Sequence, residues 1–397
     1  MKLSYKYRLY PNAVQREALD GILETLRILY NASLQERRDY YGRFGKSRSY
    51  AAQAAEIVGI KKIFPEFENI YSQTTQQTLM QVDTSFKNFF RRVKSGAKAP
   101  GFPRYKQYGS FQSFLFPQPK ADLSAGGICL QGKKIEVYGI SGQIPVKLHR
   151  KLPEGARCKQ VRVCREGQHY YVIFSFDGVA LQPLPKTGKA AGFDLGVSSF
   201  LTENDGTKFH HPRPLKRQQD RLIKAQRDLA SKKRGSNNRM RAKRSLARIH
   251  QKVSNVRKDF SHKLATKLLR ENDIVILEDL TVSSMLQNGA SKGLHRSIGD
   301  VSWNMFSEII SYKAVKADKR AVFVNPRNTT KTCSRCGHIQ DMPLSERTYH
   351  CLHCRLDLDR DLNAAINIYR LGMSLVEAER LKPAAPPTAE ASPFRAR

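Results

Sequence analysis

Four cysteines in the last quarter of the chain restrict its local fold most strongly. They form two pairs, Cys333-x2-Cys336 and Cys351-x2-Cys354, with 14 residues between the pairs. Two such pairs are typical of a zinc ribbon, in which four thiolates converge tetrahedrally on one Zn²⁺. The alternatives are a disulfide pair or a redox-active CxxC. Because no secretory signal is visible and a redox site needs only one pair, the spacing favours a structural zinc site.

Lysine and arginine greatly outnumber the acidic residues: 69 against 35 in a chain of 397 residues, a formal net charge of +34. This length predicts two or three domains, and the charge calls for a polyanionic partner, nucleic acid first. A ribosomal-type or membrane-surface protein is the alternative. Because the sequence has neither a secretory signal nor an apolar run of about 18 residues, we expect a cytoplasmic protein without a membrane partner.

Half of this net charge lies in residues 213–270, where 20 Lys/Arg accompany three Asp, a net of +17 over 58 residues. Apolar residues from Leu246 to Leu268 recur at steps of three and four, which predicts an amphipathic helix. An earlier helix near Leu222 and a turn at 231–238 complete a helical hairpin. A solvated face would mix the two signs, so we interpret the basic face as a surface for a nucleic-acid backbone.

A second basic cluster interleaves aromatic residues at 91–106, after a helix predicted over 72–93. Basic side chains bind phosphates and aromatic rings stack on bases, so this cluster also suits nucleic acid. A solvated face is again the alternative. Our candidates for backbone contacts in the two clusters are Arg91, Arg92, Arg104, Lys224, Arg241, Lys243 and Arg244.

Changes in sequence texture predict the domain boundaries. An alternating strand at 3–10 precedes a helix that opens at Asn12, with Val14, Ile22 and Leu26 on one apolar stripe. Short alternating runs broken by Gly and Pro indicate a β-rich module. The predicted parts are a β-barrel (1–12 and 108–180) with a helical insertion (13–107), a linker (181–188), a second domain (189–330 and 355–372), the zinc ribbon (331–354) and a disordered tail (373–397).

Three acidic residues stand in apolar surroundings, where a carboxylate is costly unless it is paired or metal-bound. Asp194 lies within the strand-like run 190–201, Glu278 near the end of the buried strand 273–280, and Asp361 just before an apolar helix. Together they could hold two Mg²⁺ ions about 3.5–4 Å apart for phosphodiester hydrolysis. The alternative is a turn Asp, a strand-end Glu and a helix-capping Asp that share no site.

In combination these motifs resemble the TnpB proteins of bacterial insertion sequences, relatives of type V CRISPR effectors. The matching segments follow the family's order from residue 3 to about 370, and their combination is more specific than any one segment. Besides the four cysteines, they are Tyr7–Pro11, Phe86–Arg91, Gly101–Arg104, Gly192–Gly196, Leu277–Leu280 and Asp359–Ala365.

The resemblance implies a multidomain fold that combines α+β and α/β parts. The β-barrel would be wedge-like with a helical recognition insertion, and the second domain would be a RuvC-like nuclease of the RNase H-like fold, interrupted by the zinc ribbon. Asp194, Glu278 and Asp361 match the family's three metal-binding positions, with Asp279 and Asp359 as second choices.

The resemblance also implies an RNA-guided DNA endonuclease. Such a protein binds a guide RNA from the transposon end and cuts double-stranded DNA next to a short motif, with a two-ion Mg²⁺ site and one structural Zn²⁺. We expect a monomer within a ribonucleoprotein. Two alternatives are an RNA-guided repressor, which would have lost nuclease carboxylates, and a DNA transposase or resolvase that acts without RNA.

Alignment with the family's motif-reading helix places Tyr50 and Gln76 at positions that read the DNA motif, with Gln77 and Gln112 as second choices. An amide side chain reads adenine through two hydrogen bonds, which suits this role. Ordinary polar surface residues are the alternative, since no base contact is visible in a sequence.

Overall fold

The chain forms two units, Met1–Ala180 and Leu181–Arg397. The structure is a computed structural model that describes residues 1–280, 285, 292–343 and 346–380. Each unit has its own sheet and its own buried core. Within the described residues, no helix is both long and apolar enough to span a membrane.

The first unit is built on a seven-stranded sheet in which all neighbouring strands are antiparallel. The strands are β1 (Leu3–Leu9), β2 (Ser113–Phe116), β3 (Ile128–Gln131), β4 (Lys134–Val137), β5 (Ile144–Lys147), β6 (Arg157–Glu166) and β7 (His169–Asp177). Their spatial order is β2-β6-β7-β1-β5-β4-β3. The strand predicted over 3–10 is therefore confirmed, and it pairs with β7 and β5, which are distant from it in the sequence.

Three long helices, α1 (Ala13–Phe44), α2 (Tyr50–Ile63) and α3 (Ser72–Lys94), follow β1 in the sequence. A capping box begins α1: Asn12 Oδ1 accepts from the Gln15 N–H at 2.8 Å, and Gln15 Oε1 accepts from the Asn12 N–H at 3.2 Å. The helix start at Asn12 is confirmed. The predicted apolar stripe was partly wrong, because Val14 is 71% exposed.

The second unit is built on a five-stranded sheet that changes from antiparallel to parallel. Its strands are β8 (Ala190–Leu195), β9 (Leu201–Glu203), β10 (Lys208–Phe209), β11 (Ile274–Glu278) and β12 (Arg320–Val324), in the order β10-β9-β8-β11-β12. The first three form an antiparallel meander, and β8, β11 and β12 run parallel. The parallel strands are nearly continuous apolar runs, as expected when both faces of a sheet are covered.

Helices cover both faces of this second sheet. The hairpin predicted over 213–270 is confirmed as α4 (Pro214–Ser231) and α5 (Asn237–Glu271), followed by α6 (Lys292–Val301), α7 (Trp303–Lys316) and α8 (Arg360–Arg380). Apolar residues of α5, α6 and α7 pack on one face, against Phe193 and Leu277. Helix α8 packs on the other face, with Ile368 against Ile276 and Val324.

Two boundary predictions need correction. The predicted linker 181–188 is fastened to the second unit: the Gln182 N–H donates to the Lys316 carbonyl at 2.7 Å, and Thr187 and Gly188 donate to the Asp273 carboxylate. The predicted disordered tail starts too early, because α8 continues past residue 372 to Arg380. Residues 381–397 lie outside the described part of the chain.

Candidate active site and metal centre

Asp194 and Glu278 lie side by side at the carboxyl ends of two parallel strands. Phe193 on β8 pairs with Leu277 on β11, so the next residue of each strand occupies the same register position. Neighbouring strands are about 4.8 Å apart, and residues in register point to the same face. Both carboxylates therefore project together, on the sheet face opposite Phe193 and Leu277.

Helix α8 lies on that same face and brings Asp361 to the carboxylates. The contact needs a glycine: a Cβ added at Gly192 would lie 2.6 Å from the Tyr369 Cα. A Cβ at Gly372 would similarly overlap the Ile276 side chain. These close approaches fix where α8 crosses β8 and β11, and Asp361 stands in its first turn.

Burial and mutual repulsion make this acidic cluster electrostatically unusual. Asp194 is 7% exposed, and burial, then the charges of Glu278 and Asp361, raise its pKa well above the ordinary value. Burial also raises the pKa of Glu278 to about 7, although a hydrogen bond from Thr329 opposes the shift. The charges of Glu278 and Asp361 thus both act on Asp194, so the structure brings these three residues near one another. Their role as metal ligands stays a prediction.

The second-choice acids occupy different surroundings. Asp279 is exposed, and its N–H continues the sheet by donating to the Val324 carbonyl at 2.8 Å. Asp359 caps α8: its Oδ1 accepts from the N–H groups of Asp361 and Leu362 at 3.0 and 3.1 Å. Its Oδ2 accepts from Lys208 Nζ at 2.8 Å. Asp359 thus has a structural task in placing the first turn of α8.

Sequence reasoning missed the turn that holds Glu278. Thr329 is buried, and its hydroxyl donates to Glu278 Oε1 at 2.6 Å. Two buried asparagines of α8, Asn363 and Asn367, bind the backbone of the same turn. A buried polar pair on an otherwise apolar helix face was the available signal, because such groups need internal partners.

The four ribbon cysteines converge as their spacing predicts. Their sulfur atoms all lie within 4.8 Å of one another, with Cys333 Sγ 3.6 Å from Cys354 Sγ and Cys336 Sγ 3.6 Å from Cys351 Sγ. A short antiparallel ribbon, β13 (Thr348–His350) and β14 (Asp357–Asp359), supports the second pair. In the described part of the chain, no other group of His, Cys, Asp and Glu was found that is so suited to a metal ion.

The two clusters of candidate backbone contacts are mainly solvent-facing. Lys224, Arg241, Lys243 and Arg244 are exposed on the hairpin of α4 and α5. In the first unit, Arg91 and Arg104 are exposed as well. Arg92 differs, because its guanidinium donates to the carbonyl of Pro100 and, at 2.9 Å, to that of Gly101.

The motif-reading candidates lie on or near two helices of the first unit. Tyr50 begins α2 and is half-buried, whereas Gln76 is exposed near the start of α3. Gln77 Nε2 contacts Met80 Sδ at 3.3 Å, and Gln112 donates to the Gly109 carbonyl. Gln76 and Gln112 are thus both exposed, but the Gln112 amide already donates to a backbone carbonyl.

Three family descriptions match successive parts of the chain. “Helix-turn-helix domain” matches residues 1–46, “Probable transposase” matches 145–289, and “Cas12f1-like, TNB domain” matches 303–368. The last range contains all four ribbon cysteines. In the first range the structure has β1 followed by the single helix α1, rather than two helices.

Similar proteins extend the match to nearly the whole chain. A Streptomyces pristinaespiralis protein named “Putative RNA-guided DNA endonuclease” is 32% identical over 379 residues, which cover 94% of this chain and 90% of that relative. “TnpB-like protein L79” of Acanthamoeba polyphaga mimivirus is 28% identical over 214 residues, 51% of this chain and 41% of the relative.

One solved structure has the same overall fold. The cryo-EM structure of the Cas12f1-sgRNA-target DNA complex contains a chain that aligns with a TM-score of 0.54 at 12% sequence identity. The alignment covers 93% of this chain and 98% of that one. The predicted multidomain fold with α+β character is thereby confirmed at this coarse level.

Proposed function

Since the chain belongs to the TnpB family, we propose that it is a transposon-encoded, RNA-guided endonuclease. It cuts double-stranded DNA next to a short motif by Mg²⁺-dependent hydrolysis of phosphodiester bonds. The observation that carries this proposal is the cluster of Asp194, Glu278 and Asp361, three carboxylates gathered in a chain of net charge +34. A binding protein that does no chemistry has no need of such a cluster.

The strand order supports a RuvC-like nuclease domain within residues 189–330 and 355–372. An antiparallel meander joined to two parallel strands, with α8 on one face and α5 and α7 on the other, suits the RNase H-like fold. The ribbon at 331–354 would be an insertion between β12 and α8. Residues 1–12 and 108–180 would form the wedge-like β-barrel, and 13–107 its recognition insertion.

The acidic cluster fits Mg²⁺ by the chemistry of its donors. All three side chains offer carboxylate oxygens, the ligands that Mg²⁺ prefers, and their mutual repulsion favours a cation between them. Bound there, Mg²⁺ would polarise the phosphodiester and acidify the attacking water.

The protein's own contribution is to hold the carboxylates in fixed positions. Rigid strand ends place Asp194 and Glu278, and the capped start of α8 places Asp361. The amino end of a helix carries a partial positive charge, which stabilises anionic groups nearby.

The ribbon cysteines fit Zn²⁺ in the same way. Four thiol groups in one cluster match the tetrahedral four-sulfur sites that zinc adopts. Bound Zn²⁺ would cross-link the two cysteine pairs and stabilise a segment with few buried apolar residues.

Guide RNA and target DNA would bind chiefly through their backbones. The exposed basic residues of α4 and α5 suit the A-form heteroduplex, whose sequence is read by base pairing rather than by protein. We also propose that Tyr50 and Gln76 read the short DNA motif. The exposed amide of Gln76 supports this role, because it is accessible to a base edge.

The decisive experiment starts with the RNA that accompanies the protein. The protein is purified at high salt with its bound RNA, the RNA is sequenced, and plasmid cleavage is assayed with Mg²⁺ and that RNA. We expect cleavage at a site that matches the guide segment and moves when the guide is changed. Cleavage that resists RNase would indicate a transposase or resolvase, and guided binding without cleavage would indicate a repressor.

A further inference from the structure

The turn that follows β12 contacts the Glu278 carboxylate and also the helix that carries Asp361. We propose that Thr329 is a positioning residue: its hydroxyl fixes the Glu278 carboxylate, while the same turn is fastened to α8, which carries Asp361. The turn would thereby set the spacing between Glu278 and Asp361 that the divalent cation requires. This inference rests on the proposed nuclease function and names a residue on which the positions of Glu278 and Asp361 depend.

The contact between Thr329 and Glu278 is short and buried. Both side chains are shielded from water, with Thr329 3% exposed and Glu278 6% exposed. Thr329 Oγ1 lies 2.6 Å from Glu278 Oε1 and 3.1 Å from the Pro326 carbonyl oxygen. A hydroxyl has one hydrogen to donate, and the shorter distance assigns it chiefly to the carboxylate. The bond therefore restricts which way the carboxylate faces.

The backbone of this turn is tied to α8 by amide side chains. Asn367 Nδ2 donates to the carbonyls of Thr329 and Thr332 at 2.9 and 2.7 Å. Asn363 Nδ2 donates to the Thr332 carbonyl at 2.8 Å, and its Oδ1 accepts from the Ser334 N–H at 2.8 Å. Since α8 also carries Asp361, a displacement of the turn would move Glu278 and Asp361 relative to each other.

A purely structural role for Thr329 predicts something different. If Thr329 only filled the core, valine, which has nearly the same shape, would replace it without consequence at the metal site. If the hydroxyl orients Glu278, valine should weaken cation binding, and serine should preserve it. Loss of a partner that orients a metal ligand typically costs 10–100-fold in metal affinity or activity.

The test compares Thr329→Val and Thr329→Ser with a matched control in the same turn. Thr332→Val is that control, because the Thr332 hydroxyl donates to the Asn328 carbonyl at 2.9 Å. One readout is the Mg²⁺ concentration that gives half-maximal plasmid cleavage. The other needs no cleavage of DNA: Fe²⁺ with ascorbate and peroxide cuts the protein backbone beside a bound metal, so the Fe²⁺ concentration that gives half-maximal cutting reports metal affinity. Suppression of the cuts by Mg²⁺ shows that both ions use the same site. Cuts that persist in Asp194→Ala are subtracted.

We expect Thr329→Val to raise both midpoints, that of Mg²⁺ for plasmid cleavage and that of Fe²⁺ for backbone cutting, roughly tenfold or more. Thr329→Ser and Thr332→Val should stay close to the parent. Equal midpoints for Thr329→Val and the parent would overturn the inference, and so would a serine variant as impaired as the valine one. If Thr329→Val fails to fold, Thr329→Ala, which lacks the hydroxyl and adds no bulk, replaces it. A parent that does not cleave, but whose Fe²⁺ cuts weaken in Thr329→Val, would contradict only the proposed function.

Discussion

At the scale of single residues, the acidic cluster is notable because its carboxylates are buried in a chain with excess positive charge. Buried carboxylates are costly, and neighbouring like charges increase that cost. In this protein the cost is concentrated on Asp194 and Glu278, whose pKa values are both raised. Asp279, one residue further along, is exposed to water instead. Position within the strand therefore decides which of these two neighbouring acids is buried.

The first prediction separates these neighbours. Glu278→Gln should reduce Mg²⁺-dependent cleavage by roughly 10³-fold or more, because a ligand that stabilises several kcal/mol of transition-state charge is lost. Asp279→Asn should stay close to the parent, since its side chain faces away from the cluster. Single-turnover cleavage of plasmid by the ribonucleoprotein measures both. Equal losses for the two variants would show that the assignment of Glu278 is wrong.

A second prediction for a single residue concerns His211, which is buried and packs against the rings of Phe200 and Phe260. Burial lowers its pKa to about 4; the Asp300 charge opposes the shift, and those of Arg257 and Arg213 add to it. The folded protein thus prefers neutral His211. Its contribution to stability is complete above the unfolded pKa near 6.5 and is lost as the pH falls towards 4.

We therefore expect the free energy of unfolding to fall by about 2–3 kcal/mol between pH 6.5 and 4 on account of His211. His211→Asn, which offers an amide oxygen to the Arg213 N–H that His211 Nδ1 now accepts, should lack this part of the pH dependence. Urea unfolding at several pH values measures it. The same acid-induced loss in both proteins would contradict the prediction.

At the scale of elements, the position of α8 on the sheet is the feature that assembles the site. Its close approach depends on Gly192 of β8, where any side chain would meet the backbone of Tyr369. Asp359 caps its first turn, and the ribbon precedes it directly in the sequence. A change in how α8 packs on the sheet would therefore displace Asp361.

Gly192→Ala tests this dependence. A Cβ 2.6 Å from backbone atoms forces β8 and α8 apart, and overpacking of this kind costs typically ~1–3 kcal/mol. We expect a lower unfolding temperature together with weaker cleavage, because Asp361 is displaced from Asp194. Gly299→Ala is the matched control, because Gly299 of α6 also lies outside the positive-φ region and an added Cβ there meets no atom within 4 Å. A fully active, fully stable Gly192→Ala would refute the packing argument.

The zinc ribbon provides another prediction at this scale. We expect one Zn²⁺ per chain by elemental analysis, and Cys351→Ser should lose it, because serine does not supply a thiolate. The ribbon's own core is small, so metal loss should unfold it and lower cleavage. Chelated protein that keeps its fold and activity once only Mg²⁺ is restored would contradict the assignment. Cys158→Ser, whose thiol is buried in β6 of the other unit, is the control.

The sequence predicted the helices and strands better than it predicted the contacts between them. The runs around Asp194 and Glu278 identify buried strands because their apolar residues are continuous, and cysteine spacing identifies the ribbon. Thr329 and Asn363 were not predicted, because their roles depend on contacts between segments distant in sequence. Arg92 looked like a nucleic-acid contact for the same reason: only the fold shows that its guanidinium holds a neighbouring turn.

At the scale of the whole molecule, the excess positive charge and the acidic cluster lie on different elements. The hairpin of α4 and α5 carries half of the net charge, and its exposed cations have few internal partners to neutralise them. Backbone binding of this kind releases counterions, so affinity falls as salt rises, with a slope of about 0.7–0.9 per phosphate contact. Guide pairing would supply the sequence specificity, and the hairpin would supply affinity that is the same for every guide.

The last prediction follows from that division of labour. Replacing Lys224, Arg241, Lys243 and Arg244 with Gln should weaken binding of the guide RNA–DNA heteroduplex equally for unrelated guides. The salt dependence should become shallower by up to about four contacts. Lys263→Gln is the matched control, because that lysine of α5 is already paired with Asp259 at 2.8 Å. Filter binding at several salt concentrations with two guides decides it: a loss that depends on guide sequence would mean that the hairpin reads bases.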